Sequence, residues 1–117
     1  MKTELPEYVD GNFKLYDIIT EKINDFPVEK IKSCDMAVCY NEISIFDHTR
    51  HDFHQAGIDV TKKIRIPRYD KITSDCVCII DGVQHRVYNA TGIVNKNGFK
   101  ETEITLRKPE KEYEVVV

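Results

Sequence analysis

The sequence predicts an all-β domain, a small barrel or sandwich of about six mainly antiparallel strands with a long loop between strands two and three. Apolar and polar residues alternate with a period of two over most of the chain, as they do in half-buried strands. Asp-Gly and Asn-Gly pairs stand between β-rich runs, where they favour tight hairpins. A chain of 117 residues has the length of one domain, so residues 1–117 are expected to share a single core.

The first strand is predicted at residues 13–20, FKLYDIIT, where apolar side chains alternate with more polar ones. Residues 21–33 follow, and they contain Asp25 and Pro27, which disfavour regular structure. This stretch is therefore predicted to be a connection with at most a helical turn.

The second and third strands are predicted on either side of the long loop. In residues 35–46 one face is apolar and the other carries Ala37 and Cys39, a pattern typical of a strand buried in part on both sides. Residues 58–67 again show a period of two, and Pro67 ends the third strand.

The last three strands are predicted to form a meander. Within residues 76–94, Asp81 and Gly82 separate two β-rich runs and favour a type I′ turn, in which both central residues have positive φ. A second turn at residues 95–98 contains an Asn-Gly pair and leads into a strand at 99–108.

The N-terminal arm 1–12 and the C-terminal tail 109–117 fall outside the predicted barrel. In the tail, charges alternate with Tyr113 and Val115, a pattern that would let it add a strand to the open sheet edge of another subunit. Because a small sheet exposes its edges, both segments are expected to make subunit contacts.

The composition argues against several classes of protein. No apolar run reaches the roughly 20 residues that a membrane span needs, so no membrane association is expected. The N-terminus lacks the basic and apolar regions of a signal peptide, which predicts a cytoplasmic location for synthesis. The formal net charge of −3, without a Lys/Arg cluster, argues against tight DNA binding, but it suits a surface that DNA passes without sticking.

The four cysteines are Cys34, Cys39, Cys76 and Cys78. Their C-x4-C and C-x-C spacings differ from the C-x-x-C knuckles of structural zinc sites. The odd separation of the first pair also puts its side chains on opposite faces of a strand. Buried, reduced thiols are the favoured interpretation and structural zinc is the alternative.

His48, His51 and His54 are equally spaced within residues 46–57, FDHTRHDFHQAG, and raise the question of a metal site. On a helix the first and last of them would lie about 120° apart, and on a strand they would alternate between faces. Three ligands therefore do not converge from this segment, and the H-E-x-x-H pattern is absent. Neither a metal nor another cofactor is expected, and solvent-facing loop histidines are the favoured interpretation.

Catalysis is the weaker interpretation of the same region. Cys39 or Ser44 can be drawn as a triad with a loop histidine and Asp47, but no nucleophile elbow surrounds either residue. The five glycines are scattered at turn positions and do not form a phosphate-binding loop. An enzyme is therefore not expected, and no catalytic residue is assigned.

Four segments within residues 46–108 form a pattern by their order and spacing. They are FHQAG at 53–57, IRIP at 64–67, DCVCIIDGVQHRV at 75–87 and EITL at 103–106. This block, about half of the chain, resembles the head-completion proteins of long-tailed bacteriophages, also called head-closure, stopper or head-tail joining proteins. Each segment alone is only a β-strand signature, so the order carries the resemblance. The three loop histidines and the run at 76–78 are not part of the family pattern.

The resemblance implies a β-barrel subunit of a homo-oligomeric ring, which lies beneath the portal and adaptor rings and joins them to the tail or its completion proteins. It implies a place in the virion, at the head-tail interface, after assembly in the cytoplasm of the bacterial host. In this family the loop between strands two and three points into the central channel and helps to retain packaged DNA. Mapped by position, the channel loop consists of Ser44, Ile45, Phe46, Asp47, His48, Thr49, Arg50, His51, Asp52, Phe53, His54, Gln55, Ala56, Gly57, Ile58 and Asp59.

Two other functions stay open at this point. A single-stranded nucleic-acid-binding module of the OB type would stack bases on aromatic side chains, for which Tyr16, Tyr40, Tyr88 and Phe99 are available, although the net acidity disfavours it. A small metal-dependent enzyme would use the loop histidines. Salt-dependent oligonucleotide binding would indicate the first and bound metal the second, whereas a ring subunit is expected to stay monomeric until it meets an assembled partner.

Overall fold

The structure, a computed structural model, describes residues 7–43, 57 and 59–116. Within these ranges all regular structure is β, in seven strands. The strands are β1 (Gly11–Ile23), β2 (Phe26–Ile43), β3 (Val60–Pro67), β4 (Cys76–Ile80), β5 (Val83–Val94), β6 (Lys100–Arg107) and β7 (Glu114–Val115). The predicted all-β class is confirmed. A helix of the length and hydropathy that a membrane crossing requires is not found in these ranges.

Six of the strands close into a barrel. β1, β4, β5, β6, β3 and β2 are hydrogen-bonded neighbours in that order, and β2 pairs back with β1. All pairings within this barrel are antiparallel. β7 lies outside it and pairs in parallel with β2 at Lys30 and Ile31. Of the two predicted architectures the structure is therefore the barrel, and the long connection joins β2 to β3 as expected.

Side chains from all six strands fill the barrel. Inward and outward residues alternate most clearly in β1, where Phe13 and Leu15 are buried, and in β3, where Ile64 and Ile66 are buried. The barrel core consists of Phe13, Leu15, Tyr40, Ile64, Ile66, Ile72, Cys76, Cys78, Ile80, Val87, Ile104 and Leu106. Burial of these apolar side chains is the main favourable term for a fold of this size.

β1 and β2 form a hairpin that is longer than the barrel. Their pairing runs without a break from Tyr16 opposite Ser33 to Ile23 opposite Phe26. β4 pairs with β1 only as far as Asp17, and β7 reaches β2 only at Lys30 and Ile31. Residues 19–29, which we call the hairpin arm, therefore project with no other described strand beside them.

The arm corrects the prediction that residues 21–33 are a connection with a helical turn. Asn24 and Asp25 have φ values of 52° and 67°, which are the left-handed values that a two-residue hairpin turn of type I′ requires. Pro27 lies one pair beyond the turn, where the alternation of hydrogen-bonded and non-hydrogen-bonded pairs needs no N–H from it. The two residues taken as breakers are thus compatible with a continuous hairpin.

A bulge lies where the arm meets the barrel. Lys14 stands opposite Ala37 and Tyr16 opposite Ser33, so three residues of β2 face one residue of β1. Asp35, in the middle of the bulge, has a φ of 54°, and its N–H donates to Ser33 Oγ at 3.0 Å. Such an insertion bends the strand that carries it, so the bulge sets the direction of the arm.

On the barrel side of the bulge, the inner face of β2 is covered and its outer face is covered only in part. Met36 and Val38 pack against the barrel core, whereas Ala37 and Cys39 are exposed. Farther along the same outer face Asn41 and Ile43 are half-buried, and the N-terminal arm is hydrogen-bonded to the Asn41 side chain. The prediction that this strand is buried in part on both sides therefore holds for its end and not for Ala37 and Cys39.

The two predicted turns are present. Asp81 and Gly82 have φ values of 51° and 77°, which confirms the left-handed turn between β4 and β5. Gly98 has a φ of 86°, and its N–H donates to the Asn95 carbonyl at 2.9 Å in the turn between β5 and β6.

The C-terminal tail packs on its own barrel. Tyr113 is buried with Ile31 and Val77 in a second apolar cluster on the outside of the barrel, which we call the outer cluster. The Gln84 side chain accepts a hydrogen bond from Tyr113 N–H and donates one to the Tyr113 carbonyl, both at 2.8 Å. The Gln84 side chain thus supplies the two hydrogen bonds that a neighbouring strand would otherwise make to the Tyr113 backbone. The prediction that the tail contacts another subunit stays a prediction.

Tyr113→Ala is expected to lower the free energy of unfolding by about 3 kcal/mol, because it empties the centre of the outer cluster. Tyr113→Phe is the matched control, since it removes only the hydrogen bond from Arg86 Nη1 to the hydroxyl, which is 3.1 Å long, and should cost about 1 kcal/mol or less. Urea unfolding of both variants measures the difference. Equal losses for the two would mean that the ring does not anchor the tail.

Gly82→Ala is expected to cost about 1 kcal/mol of stability, since its φ of 77° is unfavourable for a residue with a Cβ. The added methyl group would meet no atom within 4 Å, so the loss would report backbone strain alone. Asp81→Asn should be neutral, because Asn is equally suited to the first turn position. Thermal unfolding of both variants is the measurement, and an unchanged midpoint for Gly82→Ala would contradict the turn assignment.

Candidate functional site

The structure describes the base of the predicted channel loop. Residues 44–56 and 58 lie outside the described residues, and the three equally spaced histidines lie among them. Gly57 has a left-handed φ of 79°. The backbone carbonyl of Asp59 accepts a hydrogen bond from Lys108 N–H at 2.8 Å. The channel role of this loop stays a prediction.

The two strands that carry the loop are paired with each other. Residues 41–43 of β2 lie antiparallel to residues 63–65 of β3, and β3 begins at Val60. Neighbouring strands lie about 4.8 Å apart, so the loop leaves and re-enters the barrel at nearly the same point. A loop held in this way on a closed barrel is typical of the means by which rigid scaffolds present binding segments.

Ion pairs cross the strands at this base. The Lys62 ammonium lies 3.4 Å from the Glu42 carboxylate, and Glu103 on β6 receives Lys63 at 2.9 Å and Arg65 at 3.1 Å. Burial by itself would raise the pKa of Glu103, but the hydrogen bonds and positive charges of Lys63 and Arg65 outweigh it and lower that pKa below its usual range. Opposite charges on adjacent strands of this kind add modestly to the stability of the strand pairing.

His85 is a buried polar residue that the sequence analysis did not single out. It lies on β5, two residues before the core residue Val87, so the period of two in this strand already pointed it inward. Its Nδ1 lies 2.8 Å from Thr61 Oγ1, close to the start of β3. Burial, and then the charge of Lys62, lower the pKa of His85 below its ordinary value. The imidazole is therefore neutral at neutral pH.

The cysteines are free thiols in different surroundings. Cys76 and Cys78 are buried, Cys34 is half-buried and Cys39 is exposed. Burial, followed by a hydrogen bond to Asp17, raises the pKa of Cys34 to about 11, and burial raises the pKa of Cys78 strongly. Protonated thiols are poor nucleophiles and poor metal ligands. Over the described ranges, no three His, Cys, Asp or Glu side chains are grouped so as to hold a metal ion.

The aromatic residues considered for base stacking do not share one surface. Tyr40 is inside the barrel, where its ring centroid lies 6.1 Å from that of Phe13. Tyr16 packs on the outer cluster, and Tyr88 and Phe99 are half-buried on β5 and after it. Stacking of successive bases needs neighbouring exposed rings, so this placement disfavours the OB-type interpretation.

A cleft opens where β2 and β3 separate beyond their three paired positions, and we call it the seam cleft. Its volume is about 340 Å³. It is lined mostly by apolar side chains from β2, from the end of β3 and from the N-terminal arm, namely Tyr8, Met36, Ala37, Val38, Cys39, Ile66, Pro67, Arg68 and Tyr69. These residues are far apart in the sequence, and for this reason no local pattern revealed the cleft.

Arg68 is the charged residue among those that line the seam cleft. Its guanidinium donates to two backbone carbonyls, Glu101 O at 3.1 Å and Ile93 O at 2.9 Å. It lies across Gly92, where a Cβ atom would be only 2.9 Å from Arg68 Cζ. No carboxylate of the described residues lies within ion-pair distance of Arg68, so its charge is balanced only by carbonyl dipoles.

The N-terminal arm is tied to the barrel beside this cleft. Tyr8 donates from its hydroxyl to Glu101 Oε2 at 2.8 Å, and Asn95 Nδ2 donates to Glu101 Oε1 at 2.9 Å. Glu101 is only 4% exposed, so both acceptor atoms are satisfied in a buried position. Burial, and then Glu101, raise the pKa of Tyr8 to about 12. The prediction that the arm contacts another subunit stays a prediction.

The lowered pKa of His85 predicts a loss of stability on acidification. The unfolded chain, with the ordinary value of 6.5, binds a proton more readily than the folded chain. The contribution of the neutral His85 side chain to the free energy of unfolding is therefore fully present above pH 6.5. It is lost as the pH falls below 6.5 towards the folded-state pKa. Each unit by which folding lowers the pKa of His85 corresponds to about 1.4 kcal/mol of unfolding free energy. Unfolding free energies between about pH 7.5 and pH 5 should fall more in the wild type than in His85→Gln, which keeps a polar partner for Thr61. Parallel pH profiles would contradict a buried neutral imidazole.

Gly92→Ala is expected to displace the Arg68 guanidinium and to cost about 1 kcal/mol, since hydrogen bonds to two carbonyls are lost. In an Arg68→Ala background the same change should be neutral or slightly stabilising, because Ala is favoured over Gly within a strand. Chemical unfolding of the four proteins gives the coupling energy. A coupling energy near zero would show that Gly92 is not needed for the position of Arg68.

No protein-family model matches the sequence, and no curated protein matches it. The resemblance to head-completion proteins therefore stays a prediction that rests on the residues quoted for it.

Proposed function

We propose that this chain is a structural subunit of the head-tail connector of a long-tailed bacteriophage. Copies of it form a ring that joins the portal and adaptor to the tail, and the loop at residues 44–59 faces the channel and helps to retain packaged DNA. The observation that carries the proposal is a closed barrel whose long β2–β3 connection starts and ends at paired strands. This geometry presents a long segment from a rigid body at a single point.

The barrel and the loop have different mechanical roles in this proposal. The barrel has a single apolar core and closed hydrogen bonding, so it can transmit load between neighbours in a ring without rearranging. The loop sequence is polar, with Asp47, Arg50 and Asp52 among its charged residues. A polar segment has little apolar surface to bury alone, so in this proposal the loop orders when neighbouring copies supply partners.

The net charge of the chain suits a surface that DNA contacts without binding to it tightly. A duplex carries about one negative charge per 1.7 Å of axis, and tight binding would require clustered Lys and Arg. The formal net charge is −3, and several basic residues near the loop base are paired with carboxylates, as Lys62 is with Glu42. DNA is therefore retained by the physical obstruction of ordered loops, and it can leave once the loops move.

Incorporation into particles tests the proposal most directly. Mass spectrometry of purified virions from the phage that encodes the chain should find it in a fixed ratio to the portal protein. Hydrogen exchange of residues 44–59 should be fast in the isolated protein and slow in assembled connectors, because ordering follows assembly. Absence of the chain from virions would overturn the proposal, and protection of the loop in the isolated monomer would remove its role as a segment ordered by assembly.

Replacement of residues 44–56 by a Gly/Ser segment of equal length tests the role of the loop separately. We expect particles that contain the chain but release their DNA, because a flexible segment pays a larger entropy cost to order in the channel. The control is a Gly/Ser replacement of residues 96–97 in the turn between β5 and β6, which keeps Asn95 and Gly98 and should leave DNA retention unchanged. Normal retention with the replaced β2–β3 loop would show that another component closes the channel.

A further inference from the structure

The tip of the hairpin arm exposes two large apolar side chains. Ile23 is 44% exposed and Phe26 is 72% exposed. The two residues are paired across the hairpin, so their side chains lie next to each other on one face of it. Single apolar residues on a surface need no explanation, but a paired isoleucine and phenylalanine at the end of a projecting arm form a compact apolar knob. Aromatic side chains of this kind are common anchors of protein interfaces.

The seam cleft offers a complementary surface. Met36, Val38 and Ile66 line its apolar part, and its volume of about 340 Å³ is enough to admit apolar side chains. The charges also match. Arg68 has no described carboxylate within ion-pair distance, and Asp25, next to Phe26 at the tip, makes no ion pair with any described residue.

The tip and the cleft of one molecule cannot meet. About ten residues of β2 separate Phe26 from Met36, and at about 3.3 Å per residue this corresponds to roughly 30 Å along a paired strand. The longest dimension of the molecule, 62 Å, agrees with an arm that points away from the barrel. Only a second molecule can place a tip in the cleft.

We propose that the tip of the hairpin arm, residues 23–26, of one copy inserts into the seam cleft of the next copy. Ile23 and Phe26 pack on the apolar wall, and the Asp25 carboxylate pairs with the Arg68 guanidinium. The contact uses two different patches of the same chain, so it is head-to-tail, and contacts of this type close into rings when the rotation between copies permits. The proposal deepens the ring function proposed above and rests on it, because it names the surfaces through which copies meet.

This contact is weak when it acts alone. A tip with two apolar anchors buries less than the roughly 1,200 Å² that marks the lower limit of stable specific interfaces. The isolated chain therefore remains mainly monomeric, and rings accumulate when an assembled partner raises the effective concentration of the copies. A covalent trap is consequently the right test, since it collects transient contacts.

Cys39 lines the cleft and its thiol is exposed, so a cross-linker can react there without any substitution in the cleft. Lys22→Cys adds a second thiol beside the tip and leaves Ile23, Asp25 and Phe26 unchanged. Treatment of the concentrated full-length protein with a short bismaleimide should link the tip of one copy to the cleft of the next, and denaturing electrophoresis should show a ladder of trimers and larger products. The wild type, with one exposed cysteine among the described residues, should stop at dimers.

Two controls make the result specific. Lys111→Cys puts the second thiol in the C-terminal tail, and Lys22→Cys combined with Cys39→Ser removes the cleft thiol, so neither should give the ladder. In the Lys22→Cys background, Phe26→Asp should require roughly tenfold more protein for the same ladder, because it removes an aromatic anchor. Val83→Asp, a matched change at another exposed apolar residue, should have no effect.

A ladder that needs both Lys22→Cys and Cys39, and that Phe26→Asp weakens, supports the contact. It is overturned if no ladder forms, if Lys111→Cys gives the same ladder, or if Phe26→Asp leaves the ladder unchanged. The two proposals can fail separately. If purified virions contain the Phe26→Asp chain in normal amount, only the tip contact is wrong, whereas virions that lack even the wild-type chain contradict the ring function itself.

Discussion

Closure of the barrel at three residue pairs between β2 and β3 is the constraint on which the other features depend. Residues 41–43 pair with residues 63–65 at this seam, and no other described part of β2 reaches β3. The pairing removes two open edges that would otherwise attract foreign strands. It also anchors the long loop on one side of the seam. On the other side the strands diverge, and the seam cleft is the space that this divergence leaves.

The remainder of the chain reinforces a sheet that is closed by so short a pairing. The C-terminal tail covers the outer face of the barrel through the outer cluster, and Gln84 supplies the hydrogen bonds that a strand would supply. Tyr8 ties the N-terminal arm to Glu101, next to the backbone that Arg68 holds. Both terminal segments therefore pack on the outer surface of the barrel and are hydrogen-bonded to it. The hairpin arm is the exception, because it projects with its apolar tip uncovered by any described residue.

The sequence predicted the features that depend on local pattern. The period of two identified β3 and most of β1, and the Asp-Gly pair identified the turn between β4 and β5 with its left-handed residues. It failed at residues 21–33, where Asp25 and Pro27 were taken as breakers. A type I′ turn accepts Asp25, and a strand pair without ladder hydrogen bonds accepts Pro27.

The candidate site could be predicted only in part, for a different reason. The bounds of the β2–β3 loop follow from the strands on either side, so its base was predictable. The seam cleft joins residues 8, 36–39 and 66–69, which only the strand register brings together. The hydrogen bonds from Arg68 to two backbone carbonyls beside Gly92 likewise depend on the pairing of β5 with β6, which cannot be deduced from the alternation of residues along one strand. His85 was accessible in principle, because its position in phase with Val87 already placed it inside the barrel.

The bulge around Asp35 restricts how the arm can change in length during evolution. Three residues of β2 face one residue of β1 there, so the insertion contains two extra residues and preserves the alternation of faces on both sides of it. Ile31 consequently shares the outer face with its partner Ile18 and lies beneath Tyr113. Loss or gain of one residue at the bulge would rotate every side chain of the distal β2 segment to the opposite face. Insertions and deletions at this joint are therefore tolerated in steps of two, and odd changes would uncover the outer cluster.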